Sequence, residues 1–207
     1  IPLINIREIP LDELGNRILK RTFDICFSLA VIIITLPLLV LIAVLIKTTS
    51  KGPILFKQER VGLNRRKFIM YKFRTMKVAP AEQSDTTWTV PNDDRRTKIG
   101  IFLRKTSLDE LPQFFNVLKG DMSVVGPRPE RPYFVEQFKE EIPKYMVKHH
   151  VRPGITGWAQ ANGLRGDTSI KERIDHDIYY LENWSFALDL KIIWKTLRSG
   201  FIHKNAY

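Results

Sequence analysis

The sequence has a single cysteine, Cys26, which lies inside an apolar stretch. One cysteine excludes a disulfide within the chain, in agreement with a domain that faces a reducing compartment. The four histidines show no spacing typical of metal ligands, and we interpret them as structural or surface residues. The sequence has no Walker loop, dinucleotide-binding fingerprint, internal repeat or heptad array. Any nucleotide must therefore be held by another kind of site.

What the sequence does contain is a long apolar run at residues 23–46, where Asp24 is the only charge. The run is as long as a helix that crosses a membrane, about 20 residues. Pro37 removes a helical hydrogen-bond donor near its middle, so we expect a break there. A single crossing usually has basic residues on one side, whereas this run has them on both. They are Arg17, Lys20 and Arg21 before it and Lys47 and Lys51 after it.

We therefore predict a re-entrant membrane helix whose two ends lie on the same face of the membrane. A kinked transmembrane helix is the alternative. A secretory signal peptide fits less well, because the run is long, internal and not followed by a cleavage pattern.

Positive charge is concentrated just after the apolar run. Of the formal net charge of +11, residues 47–77 carry ten basic side chains against one acid, Glu59. Such a block suits anionic lipid headgroups or a polyphosphate ligand. Lys72 and Arg74 alternate with Tyr71 and Phe73 as in a half-buried strand, which favours a role for both basic residues in binding substrate phosphate. Nucleic acid is a weaker interpretation, because no nucleic-acid-binding signature is present.

Local patterns predict the secondary structure. We expect strands at 54–59 and 67–75, joined by a turn at 62–64, and a polar loop at 78–98. We expect helices at 108–119, 133–150, 170–183 and 186–201, the second interrupted by Pro143. The last helix opposes an apolar face to a basic one, which suits the plane of a membrane interface and also a core helix.

The strongest candidate for chemistry is the pair Asp109 and Glu110. Ser107 and Glu110 have the spacing of a capping box, which would start a helix at Leu108 and put both acids in its first turn. There the helix dipole keeps a carboxylate ionised, so Asp109 could act as a nucleophile and Glu110 could bind a divalent cation. Acids in a first turn are also ordinary helix stabilisers. Pro112 makes the exact helix start uncertain.

Two loops fixed by glycine and proline follow. The first presents Arg128 within GPRP at 126–129, and a guanidinium there could clamp a phosphate. The second, at 152–160, offers Trp158 and Gln160 to a base or sugar. Both loops could equally be structural turns. Arg104, before the acid pair, is a further candidate for binding phosphate.

Several motifs in this order resemble the bacterial sugar transferase family, the monotopic polyprenyl-phosphate phosphoglycosyl transferases. The resemblance extends from residue 16 to the end of the chain. Its motifs are KRTFD at 20–24, YKFRTM at 71–76, TSLDELPQ at 106–113, NVLKGDMS at 116–123, VGPRP at 125–129 and RPGITGWAQ at 152–160. PERP at 129–132 and the ending GFIHKNAY resemble the undecaprenyl-phosphate glucose phosphotransferase branch. Members of that branch usually carry an upstream membrane region, so the chain resembles their catalytic portion.

The resemblance implies transfer of a sugar 1-phosphate, with glucose as the best guess, from a UDP-sugar to undecaprenyl phosphate with release of UMP. Asp109 would form a covalent phosphosugar intermediate and Glu110 would bind Mg²⁺, while Lys72, Arg104 and Arg128 would neutralise phosphate charge. The family implies a re-entrant anchor on the cytoplasmic face of the bacterial inner membrane and a first step in exopolysaccharide or other glycoconjugate assembly. Many members have serine immediately before the helix-breaking proline, where this chain has Leu36.

The fold we predict is α+β and mostly helical, with a re-entrant membrane helix hairpin, interfacial amphipathic helices and a small antiparallel sheet. Residues 1–15 would be a lead-in from an upstream region, 16–50 the membrane helix and 51–207 the catalytic domain. Membrane lipid is an expected partner and nucleic acid is not, whereas the sugar and the oligomeric state stay open. The alternatives are a metal-dependent glycosyltransferase using Asp93 and Asp94, and a non-catalytic membrane-binding scaffold.

Overall fold

The computed structural model describes residues 9–77, 95–142, 144–164 and 168–200. The helices are α1 (Leu14–Thr49), α2 (Lys98–Lys105), α3 (Gln113–Lys119), α4 (Pro132–Glu141), α5 (Trp158–Ala161), α6 (Ile170–Glu182) and α7 (Phe186–Gly200). The strands are β1 (Leu55–Val61), β2 (Lys67–Phe73), β3 (Ser123–Val125) and β4 (Gly154–Thr156). Short 3-10 turns lie at Pro10–Asp12, Leu63–Arg65, Leu108–Glu110 and Tyr145–His150. The predicted fold, α+β and mostly helical with a small antiparallel sheet, is confirmed.

The antiparallel sheet is the predicted hairpin of β1 and β2. Leu55 lies opposite Phe73 and Val61 opposite Lys67. The connecting turn needs positive φ angles at Asn64 (50°) and Arg65 (61°). This left-handed region is one that asparagine tolerates better than most residues.

A second, parallel pair of strands, β3 and β4, was not predicted. It brings the two loops fixed by glycine and proline into backbone contact: Gly126 N donates to Thr156 O (2.9 Å) and Gly154 N donates to Pro127 O (2.9 Å). A Cβ on Gly154 would lie 2.1 Å from Gly126 N. Side chains cannot fit between the two loops, so glycine is required at this contact.

The helix predicted at 108–119 is wrong in its first part. Residues Leu108–Glu110 form a separate 3-10 turn, and α3 begins after Pro112, which occupies its N-cap position. The predicted capping box is also wrong, because Ser107 has a positive φ of 56° and its side chain makes no capping hydrogen bond. The physical reason is that a proline is accommodated at the start of a helix far better than within one.

The other three predicted helical segments are helical in the structure. Predictions at 170–183 and 186–201 are confirmed as α6 and α7, while the segment predicted at 133–150 is divided into α4 and a 3-10 turn. Helix α2 was not predicted. Most of the predicted loop at 78–98, with Asp93 and Asp94, lies outside the described residues.

Helix α1 is one continuous helix with Pro37 inside it, where we expected a hairpin broken at the proline. The expected break in the helix is therefore not seen. Thr35 Oγ1 donates to Val31 O (2.7 Å), which does not replace the donor lost at Pro37, whose partner would be Ile33 O. α1 is long and apolar enough to cross a membrane by length and composition, and most of its apolar window is exposed. The re-entrant topology stays a prediction.

The first part of α1 is fixed to the rest of the protein by buried polar contacts. Lys20 Nζ lies 2.6 Å from Asp189 Oδ2 on α7. Asp24 Oδ1 accepts hydrogen bonds from Ser123 Oγ and from Val124 N, both at 3.0 Å. The charges that interrupt the apolar pattern of α1 therefore face the protein.

The last part of α1 is fixed by apolar contacts. Leu39, Ile42 and Ile46 are buried with Phe73 at the end of β2 and Leu103 on α2. We call these five residues the α1 cluster. Both ends of α1 thus pack against the same body of protein.

Helix α7 has one buried and one exposed side. Ile192 and Asp189 are fully buried, while Leu190, Trp194 and Leu197 are exposed along one stripe. This matches the amphipathic pattern predicted from the sequence. Its placement in a membrane interface stays a prediction.

Candidate active site

Asp109 lies in the 3-10 turn between α2 and α3 and is buried, with 8% of its surface exposed. Its neighbours Leu108 and Leu111 pack against the α1 cluster. The preceding residue, Ser107, is held in the left-handed region, which is sparsely populated by residues other than glycine. Packing of the flanking leucines and the turn at Ser107 therefore place Asp109 beside the last part of α1.

Burial raises the pKa of Asp109 to about 6. The positive charge of Lys72 lowers this pKa, the adjacent carboxylate of Glu110 raises it, and Arg104 lowers it. At neutral pH the side chain is mostly ionised but poorly hydrated. Such a carboxylate is a better nucleophile than one on the surface.

Glu110 is held by two of the predicted phosphate-binding residues. Lys72 Nζ on β2 donates to Glu110 Oε1 (2.7 Å), and Arg128 Nη2 lies 3.7 Å from the same oxygen. The structure thus brings together Asp109, Glu110, Lys72 and Arg128 from three separate elements. The two carboxylates therefore lie close to cationic side chains, and these cations favour binding of an anionic ligand.

Arg104 joins this group from the end of α2. Its Nε donates to Thr75 Oγ1 (2.9 Å), which orients the guanidinium. α2 can approach this closely because of Gly100, where a Cβ would lie 1.9 Å from Thr75 O. Thr75 was not identified from the sequence as a residue that positions Arg104.

Arg74 has a different position from the one we predicted. Its Nη1 donates to Lys51 O (2.8 Å), and its Nη2 donates to Ser50 O (2.8 Å) and Ser50 Oγ (2.7 Å). The guanidinium therefore binds the carbonyls that follow α1 and fixes the end of that helix to β2. The structure does not bring Arg74 into the carboxylate group.

Trp158 is also engaged elsewhere. Its ring stacks on Tyr179, with centroids 5.9 Å apart, and the ammonium groups of Lys195 and Lys191 lie 5.0 and 5.7 Å from its centroid. Three protein side chains thus contact this ring. The contacts favour a structural role over base stacking.

Gln160 and Arg128 line one small cavity, together with Tyr145, Lys148 and Asp177. Gln160 is buried and its Oε1 has no hydrogen-bond partner among the described residues. Lys148 Nζ lies 3.3 Å from Asp177 Oδ2, and both side chains are buried. Gln160 thus shares this cavity with Arg128, which also lies near Glu110, and its role in binding a nucleotide or sugar stays a prediction.

A buried asparagine, Asn116, supports the site and was missed as a functional residue. Its Oδ1 accepts from Tyr71 N (3.0 Å) and its Nδ2 donates to Ile69 O (2.7 Å), so the side chain substitutes for a neighbouring strand along β2. This pairing fixes the strand that carries Lys72. Gln113 and Asn116 are both buried on α3, and the burial of these amides is not visible in the sequence.

A magnesium ion would have few protein ligands here. The described residues contain no group of three or more His, Cys, Asp or Glu side chains that could hold a metal. Mg²⁺ is often bound by one or two carboxylates together with substrate phosphates and water. Glu110 could therefore hold Mg²⁺ together with a phosphate ligand, since the carboxylate pair does not form a closed protein cage.

Together these features define a class: an α+β domain, fixed to a long exposed apolar helix, with a pair of adjacent carboxylates, one of them buried, close to several cations. A profile of the family described as bacterial sugar transferase matches residues 15–203. The chain belongs to this family, as its motifs predicted.

Several curated proteins are similar to the chain. A UDP-glucose:undecaprenyl-phosphate glucose-1-phosphate transferase from Klebsiella pneumoniae is 47% identical over 211 residues, covering 100% of the chain and 45% of the relative. A UDP-N-acetylgalactosamine-undecaprenyl-phosphate N-acetylgalactosaminephosphotransferase from Aeromonas hydrophila is 49% identical, covering 87% of the chain and 43% of the relative. The chain thus spans less than half the length of these relatives. An exopolysaccharide production protein PSS from Rhizobium leguminosarum bv. phaseoli is 45% identical over 88% of the chain and 94% of the relative.

Proposed function

We propose that the chain transfers a hexose 1-phosphate from a UDP-sugar to undecaprenyl phosphate and releases UMP. The observation that carries this proposal is the buried Asp109, which lies within a group of cations and beside the apolar helix α1. A phosphoryl donor needs the cations, and a lipid acceptor needs the apolar neighbourhood. One site provides both.

The reaction consists of two displacements at one phosphorus atom. A carboxylate oxygen of Asp109 bonds to the phosphorus that carries the sugar, the bond to the bridging oxygen breaks, and UMP leaves with that oxygen. An oxygen of the lipid phosphate then bonds to the same phosphorus, and the aspartyl–phosphorus bond breaks. The carboxylate is regenerated and the sugar is linked to the lipid through a diphosphate. Both steps require alignment and neutralisation of charge more than proton transfer.

The surrounding residues have defined roles in this proposal. Lys72 and Arg128, which contact Glu110, would also reach phosphate oxygens of the donor, and Arg104 would stabilise charge near Asp109. Glu110 would hold Mg²⁺, which when bound neutralises negative charge on the diphosphate. Arg74, which stabilises the end of α1, would have no direct contact with the reacting phosphate.

We infer that α1, although continuous, bends at Pro37 and so enters and leaves the membrane on one face, which is the cytoplasmic face of the inner membrane. Ser28 and Leu39 are both buried against the protein, and the helix between them is about 16 Å long at 1.5 Å per residue. That is about half the thickness of a hydrocarbon core. A domain in water could not contact both ends of a spanning helix. Basic residues on both sides of the apolar run support the cytoplasmic placement.

The best guess for the sugar is glucose, since the Klebsiella relative is named for that sugar. The Aeromonas relative is named for N-acetylgalactosamine at similar identity, so the donor panel must include acetamido sugars. Similarity to an exopolysaccharide production protein supports a role at the start of polysaccharide assembly.

The test is release of UMP by the detergent-purified chain supplied with Mg²⁺, undecaprenyl phosphate and UDP-glucose, with Asp109→Asn run beside it. We expect lipid-dependent UMP release that the substitution abolishes. Release of UDP, retained in Asp109→Asn, would favour a glycosyltransferase using Asp93 and Asp94. No release with any UDP-sugar, together with binding to acidic vesicles, would favour the scaffold.

A further inference from the structure

Helix α2 exposes two large apolar side chains next to the candidate active site. Ile101 is 48% exposed and Phe102 is 57% exposed. The next residue, Leu103, is fully buried in the α1 cluster, so one side of α2 is packed and these two side chains lie outside the packing. Isolated exposed apolar residues need no explanation, but an adjacent pair beside a catalytic group does.

The exposed surface of α2 changes from apolar to cationic along the helix. Residues three apart are neighbours on a helix surface, so Ile101 lies beside Arg104 and Phe102 beside Lys105. The cationic end is the one that leads into the turn carrying Asp109. Arg104 is near enough to Asp109 to lower the pKa of its carboxyl. The order along the helix is therefore apolar side chains, cations, nucleophile.

An amphiphile with a terminal phosphate has the same order: an apolar chain, then an anion, then the oxygen that attacks. We propose that Ile101 and Phe102 contact the first isoprene units of the lipid acceptor, with its phosphate beside Arg104. This inference rests on the proposed function. It names a site for the chain of the acceptor, in addition to the cations that would meet its phosphate.

Continuity with α1 supports this occupant. α2 packs on Leu39, Ile42 and Ile46 through Leu103, so it lies against the membrane helix, most of whose apolar window is exposed. A lipid that leaves the membrane along α1 would come within reach of α2 as well as of Asp109. Bilayer acyl chains could meet the same two residues, but they carry no phosphate that has to reach the nucleophile.

The experiment compares Phe102→Gln with wild type in detergent, using undecaprenyl phosphate and methyl phosphate, a short acceptor without an isoprene unit. Tyr133→Gln is the control, since Tyr133 is an aromatic residue of similar exposure (46%) on α4. We expect the KM for undecaprenyl phosphate to rise about fivefold in Phe102→Gln, because contact area with one aromatic side chain is lost. The KM for the UDP-sugar should not change. The burst of UMP, which is the first equivalent released without acceptor as the phosphosugar forms on Asp109, should not change either. Phe102→Leu should recover most of the loss.

Several outcomes would overturn the proposal. An unchanged KM for undecaprenyl phosphate, with weaker binding of the variant to vesicles, would assign the pair to the bilayer. Loss of the acceptor-free burst in Phe102→Gln would indicate a structural role. An equal KM increase for the short acceptor would also contradict contact with the chain. Absence of a burst in wild type would instead refute the proposed function itself, so the two failures are distinguishable.

Discussion

Removing the ammonium of Lys20 should strongly destabilise the protein. Lys20 Nζ and Asp189 Oδ2 lie 2.6 Å apart with side-chain exposures of 9% and 1%. Asp189 also accepts from Tyr180 Oη (2.8 Å) and Trp184 Nε1 (3.3 Å), which fix it in place. In Lys20→Met this carboxylate stays buried without its cation. Leaving one partner of a buried pair uncompensated costs about 3–5 kcal/mol, and we expect that loss in the free energy of unfolding.

The assay is denaturant unfolding of the detergent-solubilised chain, followed by tryptophan fluorescence. The double variant Lys20→Met/Asp189→Asn should recover part of the loss, because no buried charge remains and the amide oxygen can still accept from Tyr180, whereas the amide nitrogen cannot accept from Trp184 Nε1. Lys57→Met, at an exposed position on β1, should change stability by less than about 0.5 kcal/mol. A loss below about 1 kcal/mol in Lys20→Met would refute the reasoning, as would a double variant no more stable than the single one.

Three further predictions concern the site. The burst of UMP should decline as pH falls through about 6, since burial raises the pKa of Asp109 to that value and the nucleophile must be ionised; a flat profile down to pH 5 would contradict this. Gly100→Ala should lower the unfolding free energy by about 1–3 kcal/mol, because its Cβ would meet Thr75 O, whereas Gly15→Ala, with nothing within 4 Å, should not lower it. Chelation of Mg²⁺ should abolish UMP release and leave the unfolding midpoint unchanged, and activity that persists in chelator would exclude the ion from the mechanism.

The sequence predicted those parts of the fold that depend on local patterns. The β1–β2 hairpin has alternating side chains around a turn, and α6 and α7 have helical periodicity over more than three turns. β3 and β4 have three residues each, too few for a period, and they pair only because two distant loops meet. α2 is eight residues long and packs through Gly100 and Leu103, contacts that no local pattern reveals.

The candidate site also has parts that the sequence predicted and parts that depend on contacts between distant segments. Asp109 and Glu110 were predicted from a helix start at Leu108, which the structure does not show, and from their position between basic residues and a glycine–proline loop. The structure places Lys72 and Arg128 against Glu110. Arg74 lies two residues from Lys72 and has the same charge, yet its guanidinium binds the carbonyls after α1. Sequence alone could not separate these two residues, because the difference arises from where α1 ends in space.

The most direct measurement is the intact mass of the chain after incubation with UDP-glucose and Mg²⁺ without lipid acceptor. A covalent intermediate predicts added mass equal to one hexose phosphate on wild type and none on Asp109→Asn. Addition of undecaprenyl phosphate should remove the added mass and yield the lipid-linked sugar. Lipid-dependent turnover with no added mass on wild type, under quench conditions that preserve acyl phosphates, would contradict a mechanism through Asp109. Added mass on Asp109→Asn would assign the nucleophile to another residue.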